Sequence, residues 1–265
     1  GIVSGNTPTD KVYFAHRRLR DADIYFINNH SKRTFKDRVC LRTMLGKAYF
    51  WDPIDGKRYT LSAEQTAKGL NVFLSLIPGE SGFIVATDCN FNGLASKPVT
   101  DKDIVEPITG EWNVYFDPKW GGPGEIRFTE LTDWTKHANQ GIRYYSGTAV
   151  YRKTLNLSTP ASGEQWLLRF PHLGSMARIR LNGHEINTVW CSPWESDLTP
   201  YIKEGENTLE IEVVNSLMNR MIGDVVLSQD KRYTYAFPEI VAAKDKLVPS
   251  GIIDEIVLVK RLVKE

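Results

Sequence analysis

Aromatic and arginine side chains beside turn residues are the part of this 265-residue sequence best suited to binding chemistry. Trp120 precedes a Gly-Gly-Pro-Gly turn, Trp194 follows a Ser-Pro pair, and Arg143 and Tyr144 precede a Ser-Gly break. Aromatic faces in loops suit sugar rings, whose C–H-rich faces stack on π surfaces while their hydroxyls find polar partners. An arginine fork can bind a carboxylate or a row of hydroxyls. The sequence therefore predicts carbohydrate contacts at Trp120, Arg143, Tyr144 and Trp194.

Structural roles compete with this interpretation. A tryptophan on a strand usually belongs to the core, which is the role we predict for Trp112, Trp134 and Trp166. Arg143 could instead be an ordinary strand-entry residue that stacks on its neighbours, and this role is slightly favoured.

The segment "NSLMNRMIGD", residues 215–224, places polar side chains in an otherwise apolar stretch. Asn219, Arg220 and Asp224 could line a pocket, or could form an internal salt bridge that fixes a long loop. The salt bridge is favoured, because buried charges are normally paired.

Motifs of catalysis and of cofactor binding do not stand out. The histidines have no metal-ligand spacing and no Gly-x-Ser-x-Gly elbow accompanies them: His16, His30, His137, His172 and His184. Carboxylates are plentiful, but the sequence alone cannot pair two of them across a sugar. We therefore predict no catalytic residue, no bound metal and no cofactor.

Charge and hydropathy narrow the classes of partner. Lys plus Arg (33) nearly balances Asp plus Glu (32), so a nucleic-acid partner is not predicted. No apolar run approaches the roughly 18 residues that a membrane helix needs. Three scattered cysteines, Cys40, Cys89 and Cys191, do not form a zinc set. A Cys40–Cys89 disulfide remains open, although buried free thiols are favoured.

A succession of strands and turns covers nearly the whole chain and predicts an all-β protein of two antiparallel β-sandwiches. In "RIRLNGHEINTVW", Asn182-Gly183 can adopt the positive φ angles of a hairpin turn. The stretch 93–110 loses aromatics and gains Pro, Lys and Asp. The predicted division is residues 1–108, an N-terminal sandwich with its linker, and residues 109–265, a jelly roll.

Ordered motifs of the second half resemble the sugar-binding jelly-roll domain of family 2 glycoside hydrolases, which is galactose-binding-like. They are "GTAVYRKTLNL", "RIRLNGHEINTVW", "SDLTPYIKEGENTLEIEVVN" and "SGIIDEIVLV". Together with "NRMIGD", "GEWNVYFDPKWGGPG", "HRRLRDADIYFINN", "YFWDPIDGK" and "SGFIVA", they resemble the C-terminal region of family 106 glycoside hydrolases, the α-L-rhamnosidase-like enzymes.

The resemblance implies a non-catalytic accessory region of a bacterial glycoside hydrolase, periplasmic or secreted. In that family the catalytic residues lie on an upstream barrel domain, on which such a region packs, and the partner glycan is plant-type or rhamnose-containing. Two alternatives stay open, a free-standing carbohydrate-binding protein and a hydrolase with an unrecognised site.

Overall fold

The computed structural model describes residues 3–4, 12–97, 103–234, 241–242 and 244–262. It is 48% strand and 10% helix, and every pair of named strands is antiparallel. The predicted all-β class is confirmed. Among the described residues, one compact unit holds those up to Lys97 together with Cys191–Pro193, and a second holds Asp103–Trp190 and Trp194–Leu262.

The first unit is a sandwich of a four-stranded and a five-stranded sheet. Its strands are β1 (Val3–Ser4), β2 (Val12–Arg18), β3 (Ala22–Asn29), β4 (Phe35–Leu41), β5 (Lys47–Trp51), β6 (Arg58–Leu61), β7 (Ala63–Thr66), β8 (Gly69–Leu76) and β9 (Ser81–Thr87). The sheet orders are β1-β4-β8-β7 and β2-β3-β9-β5-β6. Alternating apolar residues of both sheets, among them Val72, Leu74, Phe50 and Ile84, form one buried cluster.

The second unit packs a four-stranded sheet on a six-stranded one. Its strands are β10 (Asp103–Pro107), β11 (Trp112–Phe116), β12 (Gly124–Phe128), β13 (Thr148–Leu157), β14 (Glu164–Arg169), β15 (Met176–Leu181), β16 (His184–Val189), β17 (Glu195–Asp197), β18 (Gly205–Val214) and β19 (Val257–Leu262). The sheet orders are β10-β19-β14-β17 and β12-β11-β13-β18-β15-β16.

Helices in the second unit are short. Two are α-helices, α1 (Gln140–Arg143) and α2 (Met218–Asp224), and four are 3₁₀ turns at Pro118–Trp120, Trp134–Lys136, Thr199–Tyr201 and Gln229–Lys231. None of the helices within the described ranges is long and apolar enough to cross a membrane.

The tryptophans predicted to be structural are buried between these two sheets. Trp112, Trp134 and Trp166 are at most 4% exposed and belong to a single core cluster. Their prediction as core residues is confirmed.

The Asn-Gly hairpin also forms as predicted. Asn182 and Gly183 have φ angles of 53° and 82°, and they connect β15 to β16. The Asn182 amide donates to Asn207 Oδ1 (2.8 Å) and to the carbonyl of Tyr201 (2.9 Å), and its oxygen accepts from the Thr208 amide (3.0 Å). The Asn182 side chain therefore ties the turn to the start of β18 and to Tyr201 before it.

The stretch 93–110, which the composition suggested to be a linker, contains a strand of the second unit. β10 is an edge strand that pairs with β19, and its Ile104 and Val105 are 63% and 49% exposed. Edge strands commonly carry charges and proline, since these discourage pairing with other chains. This explains why Asp103–Pro107 has a linker-like composition.

The three cysteines are free thiols, and they are less buried than expected. Cys40 and Cys191 are half-buried and Cys89 is exposed. Cys40 lies between the buried Val39 and Leu41 on β4, so that it faces the outer side of the sheet.

Strand β18 gives the first testable prediction. Ile211 is fully buried, whereas the neighbouring Glu212 faces outward and pairs with Arg178 and Arg180. We expect Ile211→Ala to lower the free energy of unfolding by about 2–5 kcal/mol, because it leaves a cavity in the core. Glu212→Ala should cost below about 1 kcal/mol, since its ion pairs are partly exposed. Urea denaturation of both variants checks this, and equal losses would contradict the register.

Candidate functional site at the loop end of the second unit

Three segments meet at one end of the six-stranded sheet, which we call the loop end: residues 117–122, 137–147 and 218–234. The register produces this meeting, because Phe116 on β11 lies opposite Ala149 on β13, and Thr148 lies opposite Val214 on β18. The end of β11, the start of β13 and the end of β18 are therefore neighbours. The predicted contacts Trp120, Arg143 and Tyr144 lie in the first two of these segments.

Local sequence explains the position of Trp120. The Asp117 side chain accepts the Lys119 amide (2.9 Å) and starts a single 3₁₀ turn, which Gly121 ends in the left-handed region at φ 79°. Trp120 at the last position of this turn is 45% exposed. The indole is thus presented on a braced turn, as a stacking surface requires.

Arg143 and Tyr144 follow from the short helix α1. Asn139 caps this helix by accepting the Gly141 amide (2.8 Å), and Arg143 Nε donates to the carbonyl of His137 (3.1 Å). Both Arg143 and Tyr144 are half-buried. Arg143 therefore combines the two interpretations of the sequence, because one nitrogen braces the backbone. Its terminal guanidinium nitrogens make no hydrogen bond or ion pair with any residue in the described ranges.

Glycines allow these segments to approach closely. A Cβ on Gly141 would lie 2.5 Å from the carbonyl oxygen of Gly121, and a Cβ on Gly121 would lie 2.9 Å from the ring of Tyr233. A Cβ on Gly223 would lie 2.7 Å from Tyr144. Tyr233 therefore lies against the turn that carries Trp120, and Tyr144 lies against α2.

Tyr233 is a member of this site that sequence reasoning missed. Its ring is 39% exposed, and the Arg220 guanidinium stacks 4.9 Å from the ring centroid. Asp224 Oδ2 fixes the backbone there by accepting the amides of Tyr233 (3.0 Å) and Thr234 (2.8 Å). A tyrosine far along the chain in a polar loop carries no local signal for this position, because only the tertiary fold brings it to Trp120.

The segment 215–224 forms the internal salt bridge that the sequence favoured, within the helix α2, and Asp224 also fixes the following loop at Tyr233 and Thr234. Arg220 Nε lies 2.9 Å from Asp224 Oδ1, one turn apart on α2, and the two side chains are 5% and 4% exposed. The N–H does not point at the oxygen, so this contact is an ion pair without hydrogen-bond geometry. Both members of the pair contact Tyr233, because Arg220 stacks on its ring and Asp224 accepts its amide.

Buried amides complete the support of α2. Asn215 donates to the carbonyl of Tyr145 (2.9 Å) and to Ser250 Oγ (3.0 Å), and Asn219 donates to the same Ser250 Oγ (3.0 Å) and to the carbonyl of Val248 (2.8 Å). These polar groups are satisfied within the protein, and their role is structural.

Trp194 lies on the other sheet of the unit. It precedes β17, its carbonyl accepts the Phe170 amide (2.9 Å), and its half-buried ring packs against the core cluster. The nearby Trp190, which ends the hairpin strand, is more exposed at 61%. The structure therefore brings the segments that carry Trp120, Arg143 and Tyr144 together at the loop end, and Trp194 lies on a segment of the other sheet.

His137 at the loop end has structural contacts. Burial lowers the pKa of His137 below its ordinary value, and the charge of Arg143 lowers it further. The His137 ring is therefore neutral at pH 7, stacks on Phe128 and accepts the Asn139 amide at Nδ1 (3.0 Å). This imidazole therefore has a structural role, in which it packs on Phe128 and accepts a backbone hydrogen bond.

Three carboxylates at or beside the loop end have structural partners. Asp117 caps its turn, Asp133 accepts the amides of Thr135 and Ser250, and Asp224 is paired with Arg220. Within the described part of the chain, no group of three or more His, Cys, Asp or Glu side chains could hold a metal ion. The arrangement offers exposed aromatic faces and a guanidinium.

Comparison with known proteins identifies the domain that carries this site. Residues 133–233 match the family described as glycosyl hydrolase 2 galactose-binding domain-like. The second unit thus carries a galactose-binding-like domain of the kind found in glycoside hydrolases, and the match contains Arg143, Tyr144, Trp194 and Tyr233.

Two individual proteins are similar to the chain. A rhamnosidase from Novosphingobium sp. PP1Y matches 98% of this chain at 26% identity with a TM-score of 0.82, and the chain covers 24% of it. A candidate beta-glucuronidase of Formosa agariphila is 38% identical over 135 residues, which are 49% of this chain and 12% of that protein. The chain thus spans a quarter or less of each of these proteins.

Proposed function

We propose that the chain is a non-catalytic, carbohydrate-binding accessory region of a glycoside hydrolase of the family 106, α-L-rhamnosidase-like type. The observation that carries the proposal is the similarity along 98% of the chain to a region of a rhamnosidase. The galactose-binding-like match at residues 133–233 supports the carbohydrate ligand. A rhamnose-containing or plant-type glycan is the proposed ligand class.

The geometry of the loop end supports a binding role at Trp120, Arg143 and Tyr144. A sugar ring would stack on the exposed indole, and the free guanidinium nitrogens of Arg143 would donate to its hydroxyls. Tyr233 extends the aromatic surface. Trp194 remains a proposed outer contact. One stacked ring with two or three exposed hydrogen bonds gives an affinity of about 1 mM.

The parent enzyme would supply the catalytic residues from a domain on which this region packs. An enzyme that degrades glycans outside the cytoplasm fits a periplasmic or secreted location, which we propose with it.

Sugar binding by the purified chain tests the loop-end site. We expect a rhamnose-containing oligosaccharide to shift amide resonances of residues 117–122 and 137–147 in a ¹H–¹⁵N titration. Trp120→Ala should weaken this binding about tenfold, the amount expected from loss of one stacked ring. Arg17→Ala, at an exposed position on β2 in the first unit, is the control and should leave binding unchanged. Unaltered affinity in the Trp120 variant would contradict the site.

Trp194→Ala tests the outer contact. We expect weaker binding by a chain that still folds, with a loss of stability of about 1–2 kcal/mol, because the ring is half-buried against the core cluster. A loss of stability without a change in affinity would assign Trp194 to the core.

Assays on aryl α-L-rhamnosides should show no hydrolysis by this chain. Turnover that is abolished by a single carboxylate substitution would instead reveal a hydrolase.

A further inference from the structure

The first unit has an open groove on the outer face of its four-stranded sheet, which we call the sheet groove. It has a volume of about 270 Å³ and is lined by Arg38, Ser62, Glu64, Asn71 and Phe73. Strand alternation explains its composition. Val39, Val72 and Leu74 point into the core and are at most 1% exposed, so the residues between them point outward.

The strand register places the lining side chains next to one another, with β8 in the middle. Phe73 and Asn71 lie on the same face of β8, with Arg38 of β4 opposite Phe73 and Glu64 of β7 opposite Asn71. Arg38 Nη1 and Glu64 Oε2 are 3.5 Å apart, so the two side chains approach each other across β8. The groove therefore has an aromatic ring and an amide at its floor and a pair of opposite charges beside them.

This lining selects the class of ligand. A phenyl face stacks on apolar C–H surface, while the guanidinium, the amide, the hydroxyl and the carboxylate supply both donors and acceptors. The lining holds one cation and one anion, Arg38 and Glu64, so it carries no net charge. A neutral ligand with one apolar face and many hydroxyls satisfies all of these groups. The volume lies near the lower end of small-molecule sites, which suits one or two sugar rings.

We infer that the sheet groove is a second carbohydrate site, which binds a neutral mono- or disaccharide on Phe73 between Arg38 and Glu64. Arg38 and Glu64 have side chains 70% and 69% exposed, so the ligand displaces only a weak, solvated ion pair. The site uses residues of the first unit alone. It is independent of the loop end.

A ¹H–¹⁵N titration of the full chain tests this inference. The probes are methyl α-L-rhamnopyranoside, methyl β-D-galactopyranoside and cellobiose, each up to about 50 mM, which saturates a site of about millimolar affinity. We expect at least one probe to shift the amides of residues 38, 62–64 and 71–73. The loop end is followed in the same spectra through its own amides, so each site can fail without the other.

Variants then separate binding from folding. Phe73→Leu keeps an apolar cover on the sheet but removes the aromatic face, and it should raise the dissociation constant at this site about tenfold. Arg38→Gln should raise it about threefold. Phe26→Leu replaces an exposed phenylalanine on the five-stranded sheet (38% exposed) and should change nothing. The inference is overturned if no probe shifts the groove amides, or if Phe73→Leu binds as the parent chain does.

Discussion

Asp224→Ala is expected to lower the free energy of unfolding of the second unit by about 3–5 kcal/mol, since it leaves the Arg220 cation buried without a counter-charge. The substitution also removes the acceptor of the Tyr233 and Thr234 amides and of the Thr234 hydroxyl, all within 3.0 Å of Asp224 Oδ2. Urea denaturation followed by tryptophan fluorescence measures this loss, because six of the seven tryptophans lie in the second unit.

A double-mutant cycle distinguishes this cause from general damage. Arg220→Met with Asp224→Ala removes both charges, and it should cost clearly less than the sum of the two single variants. The matched control is the exposed pair Arg127–Glu111, whose side chains are 76% and 60% exposed. Glu111→Ala should cost below about 1 kcal/mol. Strict additivity in the cycle would contradict an uncompensated buried charge.

Trp134→Ala is the second substitution with a large expected effect, a loss of about 3–5 kcal/mol. The indole is fully buried, and its ring centroid lies 5.2 Å from that of Phe116 and 5.8 Å from that of Tyr145. Its Nε1 donates a hydrogen bond to the Tyr151 hydroxyl (2.6 Å). Its removal leaves a large cavity and takes a donor from a buried hydroxyl.

The exposed Trp120 is the natural comparison for Trp134. Trp120→Ala deletes the same side chain from a surface turn and should change stability by about 0.5 kcal/mol or less. Thermal and urea unfolding of the two variants gives the contrast directly. Similar losses in both would mean that the turn at Trp120 is part of the core.

Features that depend on residues close together in the sequence were predictable from it. The alternation of Leu209, Ile211 and Val213 with glutamates fixes which face of β18 is buried, because side chains alternate on a strand. The positive φ angles of Asn182 and Gly183 follow from residue type. The buried Arg220–Asp224 pair follows from the cost of an unpaired charge and from their spacing of four.

Features of long range were not predictable in this way. Sheet order depends on pairings such as β13 with β18 and β10 with β19, which no local pattern specifies. The same limit hides Tyr233, because its position beside Trp120 arises only when α2 packs under the loop end. The difference between Trp190 and Trp194 has the same origin, since packing decides which of the two rings is exposed.

The pairing of β10 with β19 has a consequence for synthesis in the cell. These are the first and the last strands of the second unit, and about 150 residues separate Pro107 from its partner Val257. At ribosomal rates of about 5–20 residues per second, β10 waits roughly 10–30 s for its partner to be made. β14 also waits for β19, which lies between these two strands, but its delay is shorter because 88 residues separate Arg169 from its partner Val257. Until then both have unpaired backbone edges, which are the surfaces that strands of other nascent chains join. The charged and proline-ended β10 is suited to that interval, since Asp103, Glu106 and Pro107 keep the waiting strand from pairing with the wrong chain.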